Sequence, residues 1–68
     1  MNNYQAPARR LIKHRHNNCH SIDIANSETG YEVSVWNFEC NKVVEFHEYK
    51  TRFEAFDKYA VLVKNYRV

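Results

Sequence analysis

At Thr51 the apolar residues of this chain change period, from alternation at every second position to steps of three and four. That change predicts an antiparallel sheet followed by a helix. Thr51-Arg52-Phe53-Glu54 has the spacing of a capping box, in which the threonine hydroxyl accepts from the third amide and the glutamate reaches back to the cap amide. Beyond it Phe53, Phe56, Tyr59, Ala60, Val63 and Tyr66 recur as one apolar stripe, with Glu54, Asp57, Lys58 and Lys64 towards the other side. Glu54 and Lys58 form an i,i+4 pair worth about 0.3 kcal/mol, and Lys64 and Arg67 suit the negative end of the helix dipole.

Upstream, Tyr31, Val33 and Val35 alternate with Glu32, Ser34, Trp36 and Phe38, the signature of a strand. Residues 43–49 read as a second strand, joined to the first by a hairpin loop at 39–42. Ile22 and Ile24, alternating with Ser21 and Asp23 ahead of the turn cluster at 26–30, read as a third. Setting Phe38 opposite Val43 brings Val35 to Phe46 and Trp36 to Glu45. In that register Ile22, Ile24, Val33, Val35, Val44 and Phe46 receive the helix. The opposite face carries Asp23, Glu32, Ser34, Trp36, Phe38, Val43, Glu45, His47 and Tyr49.

The N-terminal 18 residues form a basic leader, expected as a short helix or an irregular arm. Pro7, Ala8, Leu11 and Ile12 suit a helix opened by proline and ended by Asn17 and Asn18. The expected fold class is therefore α+β: a three-stranded meander with a C-terminal helix on one face, and an α-β-β-β-α order where the leader is helical. Sixty-eight residues suffice for one core, here residues 19–68, because a chain this short buries only about 60% of its unfolded surface. Ten aromatic rings, counting Trp, Tyr and Phe, supply the apolar material. Two cysteines are too few for a disulfide framework, and no apolar signal segment opens the chain, which points to a reducing cytoplasm. No stretch approaches the roughly twenty apolar residues of a membrane span.

Net charge +2 conceals an asymmetry. Arg9, Arg10, Lys13 and Arg15 stand among the first twenty residues without an acid, whereas the remainder holds six basic against eight acidic side chains. The leader cations are candidates for phosphate contacts in nucleic-acid binding. With a helical leader, the order helix, three strands, helix resembles the layout of the double-stranded RNA-binding domain, in topology and over most of the chain. The resemblance implies RNA contacts through the first strand loop and the start of the last helix. Here that loop contains Glu28, and the helix opens Thr51-Arg52-Phe53-Glu54 without the family's lysine cluster.

His14, His16, Cys19 and His20 offer borderline and soft ligands to a transition metal, with a solvated His-rich arm as the plainer reading. Cys19 beside His20 makes a poor catalytic dyad, since strand neighbours point to opposite faces. Glu45 and Glu48 fail as a carboxylate pair for the same reason. Neither enzymatic activity nor a cofactor is expected. The leading expectation is a non-enzymatic interaction or regulatory protein. It contacts a protein partner, or a second copy of itself, through Trp36, Phe38, Tyr49, Glu32, Glu45 and His47. Folding of the leader back over that face is the competing use of the same surface.

Overall fold

The computed structural model describes residues 10–68, which form four strands and one helix. Strands β1 (Arg10–His16), β2 (His20–Ser27), β3 (Gly30–Asn37) and β4 (Lys42–Tyr49) pair antiparallel in the order β1-β2-β3-β4, and helix α1 spans Arg52–Tyr66. The α+β class and the C-terminal helix stand as expected; the strand number and the N-terminal helix do not. From Arg10 onward the segment expected as helix or arm is an edge strand. Asn17 ends it: its Oδ1 accepts from the Cys19 and His20 amides, both at 2.8 Å, closing a tight hairpin into β2. With β-β-β-β-α order, the likeness to the double-stranded RNA-binding layout falls away. Pro7 and Arg9 lie outside the described residues.

Both edge strands carry a β-bulge, and the bulges decide which side chains share a face. In β1, Leu11 pairs with Ala25 while Lys13 pairs with Ile24, leaving Ile12 as the extra residue. In β4, Glu45 pairs with Val35 while Val43 pairs with Trp36, so Val44 is extra. The second bulge overturns the expected register. Phe46 lies opposite Ser34 and is 53% exposed, whereas Glu45, His47 and Tyr49 stand opposite Val35, Val33 and Tyr31 on the helix side. The turn is displaced as well: Asn41 takes φ 58°, a left-handed conformation that asparagine tolerates, and the strands close at Asn37 and Lys42, one residue earlier on each strand than expected, around a loop of the same four residues.

At the other end of β3, Gly30 presses against the next strand. A Cβ there would sit 2.4 Å from the Tyr49 carbonyl oxygen, so no larger residue fits without moving β4.

The core lies between helix and sheet: Ile22, Ile24, Val33 and Val35 from the central strands meet Ala55, Tyr59 and Leu62 from α1. The expected stripe is thus rotated. Phe56, Val63 and Tyr66 flank the contact rather than fill it, while Ala60 is exposed and Phe53 is 82% exposed. Small Ala55 permits close approach over the branched strand residues, where a bulkier side chain would hold the helix off. Thr51 caps α1, its hydroxyl oxygen accepting from the Glu54 amide at 3.2 Å; that hydroxyl in turn donates to the Glu54 carboxylate at 3.0 Å. At the other end Arg67 turns left-handed at φ 58°, and its amide and that of Val68 bond back to the Lys64 and Val63 carbonyls. Among the described residues, no helix is long and apolar enough to cross a membrane.

Candidate functional site: the open face of the sheet

The helix packs on one face of the central strands and leaves the other face of the sheet open. Cross-strand rows define it: His16, Ser21, Trp36 and Val43; then His14, Asp23, Ser34 and Phe46; then Leu11, Ala25, Glu32 and Glu48. Half-buried Trp36 and exposed Val43 and Phe46 occupy adjoining rows on β3 and β4, with Val44 and Phe38 exposed nearby in sequence. These side chains form the apolar part of the face. Its charges are Asp23, Glu32 and Glu48, and no lysine or arginine occupies an open-face strand position. Two imidazoles border it on β1, where His14 and His16 meet edge to face at 5.6 Å and His14 Nδ1 lies 4.0 Å from the Asp23 carboxylate.

Of the residues expected to bind a partner, Trp36 and Glu32 are on this face and Phe38 is exposed in the β3–β4 turn. Glu45, His47 and Tyr49 are not with them. Their places are taken by Val43 and Phe46, of which Phe46 had been expected in the core. The signal for its exposure is the Val44 bulge, which alternation alone does not reveal.

On the helix side, Glu45, His47 and Tyr66 form a polar clasp at the edge of the core. The Tyr66 hydroxyl donates to Glu45 Oε2 at 2.5 Å, and His47 Nε2 lies 2.9 Å from Glu45 Oε1. The Tyr66 hydrogen bond first and the His47 bond second hold the Glu45 carboxyl below the usual carboxylate range, assisted by the His47 and Lys58 charges. The same bond to Glu45 pushes the Tyr66 hydroxyl up. Both Glu45 oxygens are thus engaged, which suits a fastening between β4 and α1 better than proton transfer. The His20 ring packs on Tyr66 at 4.6 Å, and its Nε2 lies 3.1 Å from the Asn37 amide nitrogen.

This placement separates the expected metal ligands. His14 and His16 face the open side, Cys19 is exposed in the hairpin loop and His20 packs under the helix. Among the described residues, no group of three or more His, Cys, Asp or Glu is arranged to hold a metal ion. Cys19 and Cys40 are both exposed free thiols. A shallow hollow of about 230 Å³ lies beside the β2–β3 turn, lined by Thr29, Tyr31, Tyr49 and Lys50 among others. It is smaller than the roughly 300–1,000 Å³ of ligand pockets. Comparison of the chain with known protein families, curated proteins and solved structures finds no match.

Proposed function

We propose that this protein is a small, non-enzymatic interaction or regulatory module whose open sheet face receives a protein partner bearing an apolar patch ringed by lysine or arginine. The observation that carries this reading is the cluster of Trp36, Val43 and Phe46 on the face α1 does not cover. Charge selects the partner. With Asp23, Glu32 and Glu48 on the face and no lysine or arginine at its strand positions, a basic rim is complementary. A second copy laid face to face would bring acids towards acids, which disfavours the homodimer near neutral pH.

Trp36→Ala and Phe46→Ser test the reading. Proteins retained from host lysate by the wild-type chain should be lost with both variants, kept with Phe53→Ala, and eluted by salt; each substitution should weaken a purified partner by about thirtyfold. Retention of the same proteins by all four forms contradicts the reading. Sedimentation at pH 7 should give a monomer at every concentration. A dimer abolished by Trp36→Ala would instead assign the face to a second copy.

A further inference from the structure

An open sheet has two edges, and this one guards them unequally. Along β1, Arg10, Lys13 and Arg15 stand at exposed positions and the Ile12 bulge interrupts the pairing row. Strand β4 carries its bulge at Val44, next to the turn, and beyond it residues 45–49 run in unbroken register against β3. No lysine, arginine or proline occurs within them; Lys42 and Lys50 flank them. Among the described residues no strand pairs with the outer side of β4, so alternate backbone N–H and C=O groups there point away from β3. The buried side chains of α1 meet β2 and β3 instead. Two open-face side chains lie along this edge: Phe46, 53% exposed, and Glu48, exposed two residues on. Glu48 stands directly opposite Glu32. Like charges at opposed positions destabilise a sheet, and a cation on the outer side of Glu48 offsets the repulsion. On the helix side Glu45 already engages His47 and Tyr66, which leaves Phe46 and Glu48 to read a partner.

From this asymmetry we infer that β4 accepts a fifth strand: an extended segment of the partner protein pairs along residues 45–49, with an apolar side chain beside Phe46 and a lysine or arginine beside Glu48. The inference rests on the open-face reading above and specifies how the partner presents its basic rim. An added strand lies about 4.8 Å from β4, close enough for its side chains to continue the rows of Phe46 and Glu48. Its backbone satisfies the outward groups of β4 in a sequence-independent way, so selection falls to those two side chains. A second copy of the chain fits less well. The antiparallel self-pairing that sets Lys42 opposite Glu48 also sets Glu45 opposite Glu45, in agreement with the monomer expected at pH 7.

The test is amide NMR of the labelled full chain titrated with the peptide acetyl-Thr-Lys-Thr-Ile-Thr-Lys-Thr-amide. Its pattern reads the same in both directions, so either strand orientation places isoleucine beside Phe46 and a lysine beside Glu48. Saturable binding with a Kd of about 1 mM or tighter is expected, with shifts at residues 45–49 and none along β1. Phe46→Ser and Glu48→Lys should each weaken it about fivefold, and a peptide with glutamate in place of both lysines should prefer Glu48→Lys to wild type. Only alternate residues of an added strand bond to β4. Methylating the lysine and isoleucine amide nitrogens and methylating those of the inner threonines should therefore differ, one abolishing binding and the other sparing it. Strand addition is overturned by the absence of saturable binding at that affinity, by shifts centred on Trp36 rather than β4, or by equal effects of the two methylations. Lysate proteins lost with Trp36→Ala yet held at saturating peptide also overturn it while leaving the open-face reading standing; proteins held equally by Trp36→Ala contradict the open-face reading itself. Phe46 and Glu48 are exposed, and the amide dispersion of each variant confirms its fold.

Discussion

Asn17 joins two parts of the molecule that are distant in sequence. Its Oδ1 closes the β1–β2 hairpin, while its Nδ2 donates to the Tyr66 and Arg67 carbonyls at 3.2 and 3.3 Å, satisfying acceptors that the end of a helix leaves open. Asn17→Ala should cost about 1–2 kcal/mol in urea unfolding, and Asn17→Asp more, because it sets a carboxylate against the negative helix end. In sequence this asparagine announces only a turn; its reach to residues fifty positions away depends on where α1 docks. Glu45 gives a pH signature. Its carboxyl is lowered in the folded protein, so the stability it adds is complete above about pH 4.3, the unfolded glutamate value, and is lost as pH falls through the lower folded value. Tyr66→Phe removes the largest cause, so thermal melts between pH 2 and 6 should show a flatter acid limb. A limb as steep as wild type would mean that the Tyr66–Glu45 bond is not formed.

Among the elements, α1 was the most legible, since capping and period agreed, yet the face it buries was misjudged. Phe53 belongs to the apolar stripe by spacing, but the contact with the sheet centres on Ala55, Tyr59 and Leu62. Periodicity locates a face only to within a residue or so, and the closest approach to branched strand side chains selects the smallest residue. Leu62→Ala should therefore cost about 3 kcal/mol and Phe53→Ala less than about 0.5 kcal/mol by denaturant unfolding; the reverse order would restore the original stripe. Strand β1 was illegible for a different reason. It is an edge strand in which Ile12 alone is half-buried, its arginines, lysine and histidines keep other chains from pairing with it, and its bulge breaks the alternation. In β4 two alternating sets compete, Val44 and Phe46 against Glu45, His47 and Tyr49. Hydrophobicity favours the first, but at the rim of the core the polar set finds Tyr66 and Lys58.

At the scale of the whole molecule, the two bulges sort the chemistry of a nearly neutral chain onto separate sides. Aromatic and acidic side chains collect on the open face; the cations of β1 collect beside the helix. Neither surface is visible in composition, where +2 spread over 68 residues reads as featureless. Both surfaces thus rest on one structural statement about register. The β4 half of that statement is tested most directly by interstrand backbone NOEs in a labelled sample. The account predicts contacts between Trp36 and Val43, Val35 and Glu45, and Val33 and His47. Contacts between Trp36 and Glu45 and between Val35 and Phe46 would contradict it, returning Phe46 to the core and dissolving the open-face cluster.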